Sequence, residues 1–96
     1  MTFSFNTPES LLLVIAARAK ARRLAEKLTR RTLAGKSGVA EANIKRFETT
    51  GQINFQNLLK IAYVLGEMNE FERLFQEKPP QMIAELSKKP RQRGSL

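Results

Sequence analysis

The chain is predicted to fold as an all-α domain of five short helices. Apolar residues recur at spacings of three, four and seven, and helix-starting caps and helix-ending glycines punctuate the chain at short intervals. Alternation of apolar and polar residues is confined to the first few positions, too few for a sheet. Ninety-six residues, 42% of them hydrophobic, suffice for one domain with a modest core. With no cysteine and no histidine, helix packing or oligomerisation must supply the stability that disulfides or zinc give other small chains.

Residues 1–10 read as an N-terminal extension in which Phe3 and Phe5 alternate with polar neighbours, as in a short strand or apolar tether. Thr7-Pro8-Glu9 then starts helix 1: Thr7 caps, Pro8 takes the first helical position, and Glu9 faces the positive end of the dipole. This helix is predicted to reach about Lys27, with Leu12, Ile15, Ala16 and Ala19 inward and Arg18, Lys20, Arg22, Arg23 and Lys27 around the rest. Thr29 caps helix 2, which runs to about Lys36 with Leu33 and Ala34 inward, and Ser37-Gly38 makes a turn. Helix 3 spans about Ala40 to Glu48, and Thr49-Thr50-Gly51-Gln52 reads as a loop.

Asn54 caps helix 4, whose stripe is Phe55, Leu58, Leu59, Ala62 and Leu65, and Gly66 ends it in the left-handed region. Met68, Phe71, Leu74 and Phe75 give helix 5, so the compact domain is residues 11–78. Residues 79–96 read as a short helix around Met82, Ile83 and Leu86, then a disordered basic tail from Lys88.

The net charge of +8 is unevenly placed. Residues 1–46 hold ten basic and three acidic side chains, residues 47–87 hold three basic and six acidic, and residues 88–96 hold four basic. A positive first half beside a mildly negative second half fits one face for a polyanion and another for protein. With no histidine, cysteine, aspartate or tryptophan and no paired glutamates for acid–base work, neither an enzyme nor a cofactor or metal site is expected. The apolar run Leu11–Ala17 is too short to span a bilayer and no lysine or arginine precedes it, so no membrane or export role and a cytoplasmic location are expected.

The stretch Thr29–Glu48 places a small Ala34 at a helix crossing, Gly38 four residues later at a turn, and Ile44 and Phe47 where a following helix would lock onto the core. In this spacing it resembles the Xre-type, phage-repressor-like helix-turn-helix family, over roughly Ile15 to Leu65. The resemblance implies an ion pair between Arg23, late in helix 1, and Glu48, just after the recognition helix. Asn54–Gly66 is similar to the family's fourth helix, and Phe71-Glu72-Arg73-Leu74-Phe75 to its HipB-like antitoxin branch. The resemblance implies an autoregulating antitoxin that represses its own operon as a homodimer on a palindromic double-stranded operator and holds a HipA-like kinase toxin or a related toxin. Departures are Arg30 where glutamine is usual, Ala40 where serine or threonine caps helix 3, and a loop glycine present only at Gly51.

On this reading Glu41, Ala42, Asn43, Lys45 and Arg46 are the candidate base readers: arginine suits guanine, asparagine adenine, glutamate cytosine, and alanine a thymine methyl. Thr29, Arg30, Thr49 and Gln56 are the candidate phosphate ligands. Glu41 and Lys45, four apart, have the alternative of pairing with each other. Phe3, Phe5, Met68, Phe71 and Phe75 are candidate dimer or partner contacts, with Phe71 and Phe75 alternatively closing the core. Two other functions stay open: a protein-interaction module that mainly neutralises a toxin, and a stand-alone phage-type repressor.

Overall fold

Helix α1, Pro8–Ala25, begins where the Thr7 hydroxyl accepts the Ser10 N–H at 3.2 Å and Pro8 needs no partner for a missing donor. The computed structural model describes residues 7–77. Phe3, Phe5 and residues 79–96, with Met82, Ile83 and Leu86, lie outside the described residues.

The first helix stops two residues short of the predicted Lys27, and the backbone shows why. Lys27 is left-handed at φ 60°, its N–H reaches Leu24 O at 2.9 Å, and the Leu28 N–H reaches back to Arg23 O at 3.1 Å. This is the paired-bond stop usually built on glycine.

Helices α2, Arg30–Ser37, and α4, Phe55–Leu65, open on the caps read from sequence: Thr29 accepts the Thr32 N–H at 3.0 Å and Asn54 accepts the Asn57 N–H at 2.7 Å. Helix α3 is Glu41–Thr50, and its N-cap, Ala40, offers no side-chain bond. The predicted loop at Thr49-Thr50 is instead helix, with both hydroxyls bonded back to carbonyls of the preceding turn. Gly51 then ends α3 at φ 82° with its N–H on Phe47 O. Gly66 closes α4 at φ 79°, and the Glu67 N–H reaches Ala62 O at 2.8 Å.

Helix α5 is only Met68–Glu72. It has no capping side chain, and after it Arg73 and Leu74 bond three residues back before Phe75 turns the chain at φ 62°. The predicted continuation of its stripe through Leu74 and Phe75 is therefore not formed: Leu74 is 48% exposed and Phe75 fully so.

All the described elements are helical, with no strand among the described residues. Helix α1 packs on α3, α2 packs on α3 and α4, and α5 packs on α4. Ala16, Leu33, Val39, Ile44, Phe47, Ile61 and Leu65 form the buried cluster where they meet. Each of the fully buried Leu33, Ile44 and Ile61 contributes about 1.5–3 kcal/mol by leaving water. Two details differ from the sequence reading. Ile61 rather than Phe55 occupies the inner face of α4, which leaves Phe55 exposed, and Leu12 is 44% exposed rather than inward. No helix among the described residues is long and apolar enough to cross a membrane.

Candidate nucleic-acid interface

The turn between α2 and α3 begins at Gly38, φ 81°, whose N–H returns to Ala34 O at 2.9 Å. The Ser37 hydroxyl accepts the Val39 N–H at 3.1 Å, and Val39 itself is buried. One apolar side chain in a three-residue connection thus anchors the turn on the core. From Ala40 the helix sets Ile44 and Phe47 inward, at 1% and 2% exposure. The 3.6-residue period then turns Glu41, Ala42, Asn43, Lys45 and Arg46 to solvent, and all five are exposed. The five candidate base readers therefore share the outer surface of one helix.

Arg46 and Asn43, three apart, border a shallow cleft of about 500 Å³ with Gln52 and with Asn54 and Asn57 of the first turn of α4. Arg46 rests there, its Nη2 donating to Gln52 Oε1 at 3.0 Å. The alternative pairing of Glu41 with Lys45 is not formed among the described residues. Gln52 and Asn57 were not picked out from sequence; their signal was a run of amide side chains flanking the α4 cap.

Beneath this surface Arg23 holds Glu48 with two nitrogens, Nε to Oε2 at 2.7 Å and Nη2 to Oε1 at 3.0 Å, and its Nη1 donates to Leu28 O at 2.8 Å. The side chains are 7% and 2% exposed. The pair that the sequence resemblance implied is present, and it is joined by a third member: Arg30 Nε donates to Glu48 Oε1 at 2.8 Å. Burial alone would raise the Glu48 pKa, but the hydrogen bonds and charges of Arg23 and Arg30 outweigh it and hold the carboxyl below its usual value.

Arg30 is 30% exposed at the side chain, and beyond Nε it makes no other hydrogen bond among the described residues. Its outer nitrogens remain available at the start of α2. Thr29 spends its hydroxyl as the α2 cap and as a donor to Thr32 Oγ1 at 3.0 Å. Thr49 donates to Lys45 O at 2.9 Å, and Gln56 stands exposed in the first turn of α4.

The candidate partner contacts divide. Phe71 is half-buried, its ring tilted 60° against Phe55 with centroids 6.3 Å apart, and Met68 is also half-buried. Phe75 projects fully into solvent. Arg22, read from sequence as basic surface, instead ties α1 to the end of α4: it donates to the Glu67 carboxylate and to Leu65 O, and lies 3.3 Å from Glu26. It offsets the negative end of the α4 dipole.

No protein-family model matches this chain, and no curated protein or solved structure matches it.

Proposed function

We propose that α2, the Gly38 turn and α3 form a helix-turn-helix and that the protein is a sequence-specific DNA-binding transcriptional repressor of the Xre type. The observation that carries this reading is α3 itself, fastened by Ile44 and Phe47 while five polar or small side chains of base-reading type face outward. The Arg23–Glu48–Arg30 cluster supports it, because a buried ion pair fixes the orientation of the helix end that must fit a groove about 12 Å wide. Arg30 carries one free edge toward phosphate, and the basic excess of residues 1–46 supplies the general attraction.

One such domain contacts few base pairs, so the active species is a homodimer on two half-sites about 34 Å apart. Footprinting on the DNA upstream of its own gene tests this. Two protected patches one helical turn apart support the reading, and uniform protection of the whole fragment rejects it. A second reading, an antitoxin that also holds a HipA-like kinase toxin, is favoured by the fully exposed Phe75 beside the exposed Leu74, an apolar pair suited to a protein partner.

A further inference from the structure

An open apolar groove of about 940 Å³ runs between α1 and the α4–α5 corner, floored by Ile15, Ala19, Leu58 and Ile61 and walled by Phe71 and Leu74. Helices α1 and α4 are held together at one end by Arg22 on Glu67 and Leu65 O, so the groove is a built feature of the packing. We propose that it is the docking site for the chain's own segment Met82–Leu86, independently of whether the protein binds DNA.

Three facts favour this occupant. The chain leaves the described residues from the groove's own wall: Leu74 lines it, and Phe75 at φ 62° turns the backbone just beyond. From Leu74 to Met82 is eight residues, a reach of up to about 26 Å, whereas the groove along α1 from Ile15 to Ala25 is about 15 Å long. Finally, the sequence spacing of Met82, Ile83 and Leu86 suits one apolar stripe, and Glu85 within the segment is an acid able to pair with the groove residue Arg18, which forms no ion pair among the described residues. The N-terminal phenylalanines fit less well. Thr7 lies at the far end of α1, about 12 Å along the helix from the first groove residue, and a chain starting there must double back to enter. Docking Met82–Leu86 also anchors the four basic residues Lys88, Lys89, Arg91 and Arg93 beside the domain.

The absence of cysteine makes the test direct. In the full chain, Ala21→Cys with Ile83→Cys and Ala25→Cys with Leu86→Cys place thiols on the groove and on the segment, and Lys36→Cys with Ile83→Cys is the control on α2. Under dilute oxidising conditions the groove pairs are expected to close intramolecular disulfides about tenfold faster than the control. Disulfide-linked dimers from the groove pairs would assign the groove to a second copy, and equal rates for groove and control pairs would leave the segment undocked; either result overturns the proposal. A second readout avoids oxidation. In full-chain M82E/L86E with wild-type helicity, amides of the last two turns of α1 should exchange about tenfold faster, and unchanged exchange contradicts docking.

Discussion

Arg23 and Glu48, 25 residues apart in sequence, meet through a two-pronged contact of 2.7 and 3.0 Å that joins the end of α1 to the end of α3. Both side chains are shielded from water, so neither charge tolerates the loss of its partner. Glu48→Ala is expected to destabilise the protein by about 3–5 kcal/mol, leaving a buried guanidinium with only Leu28 O. Arg30→Ala should cost about 1 kcal/mol, since Arg30 is partly solvated and Arg23 still serves the carboxylate. Urea denaturation of the two variants checks the order.

The same carboxyl makes stability depend on pH. The folded-state pKa of Glu48 is depressed, so its contribution is fully present above the unfolded value of about 4.3 and is lost as pH falls through the folded value. Urea midpoints should therefore drop more steeply below about pH 4.3 in the wild type than in Glu48→Gln, which cannot titrate there. Parallel curves for the two proteins would remove Glu48 from the acid response.

Gly38 and Gly51 both sit near φ 80° but face different surroundings. A methyl on Gly38 meets open space, so Gly38→Ala should cost about 1–2 kcal/mol of backbone strain. On Gly51 it would lie 3.0 Å from Leu12 Cβ and 3.1 Å from the Leu12 carbonyl carbon and oxygen. Gly51→Ala should therefore cost clearly more, and Leu12→Ala should not rescue it, because the Cβ and backbone remain. Thermal melts of the two single variants and the double variant decide this.

Ala40 begins α3 in the extended conformation of a capping residue without an accepting side chain. Ala40→Ser should add about 1 kcal/mol of stability by accepting an N–H of the first turn. A lower melting temperature for this variant would contradict the local geometry.

Much of this architecture was legible because local chemistry spoke plainly. Thr7, Thr29 and Asn54 cap where their short oxygens predict, and Gly38 and Gly66 mark the helix ends that need a left-handed residue. Lys27 hid the end of α1, since a lysine gives no sign that it will occupy the left-handed region. Thr49 and Thr50 misled for a related reason: their hydroxyls favour turns in general but here bond back onto the helix. The Phe55–Ile61 exchange on α4 depended on which of its apolar side chains meet α2, a tertiary choice that periodicity leaves open. In the candidate site, the outward set on α3 followed from Ile44 and Phe47. The third partner of Glu48 and the resting place of Arg46 on Gln52 depend on contacts between elements that no local pattern encodes.

The central proposal, sequence-specific DNA binding through α3, is tested most directly by fluorescence anisotropy on the DNA upstream of the protein's own gene. A shuffled duplex, a salt series and the exposed-residue variant Arg46→Ala complete the comparison. The preference expected for the upstream DNA is about 10³ or more and survives moderate salt. Arg46→Ala should lose about 1–3 kcal/mol on that DNA alone, with an unchanged urea midpoint. Equal affinity for both duplexes, vanishing together as salt rises, would contradict the proposal.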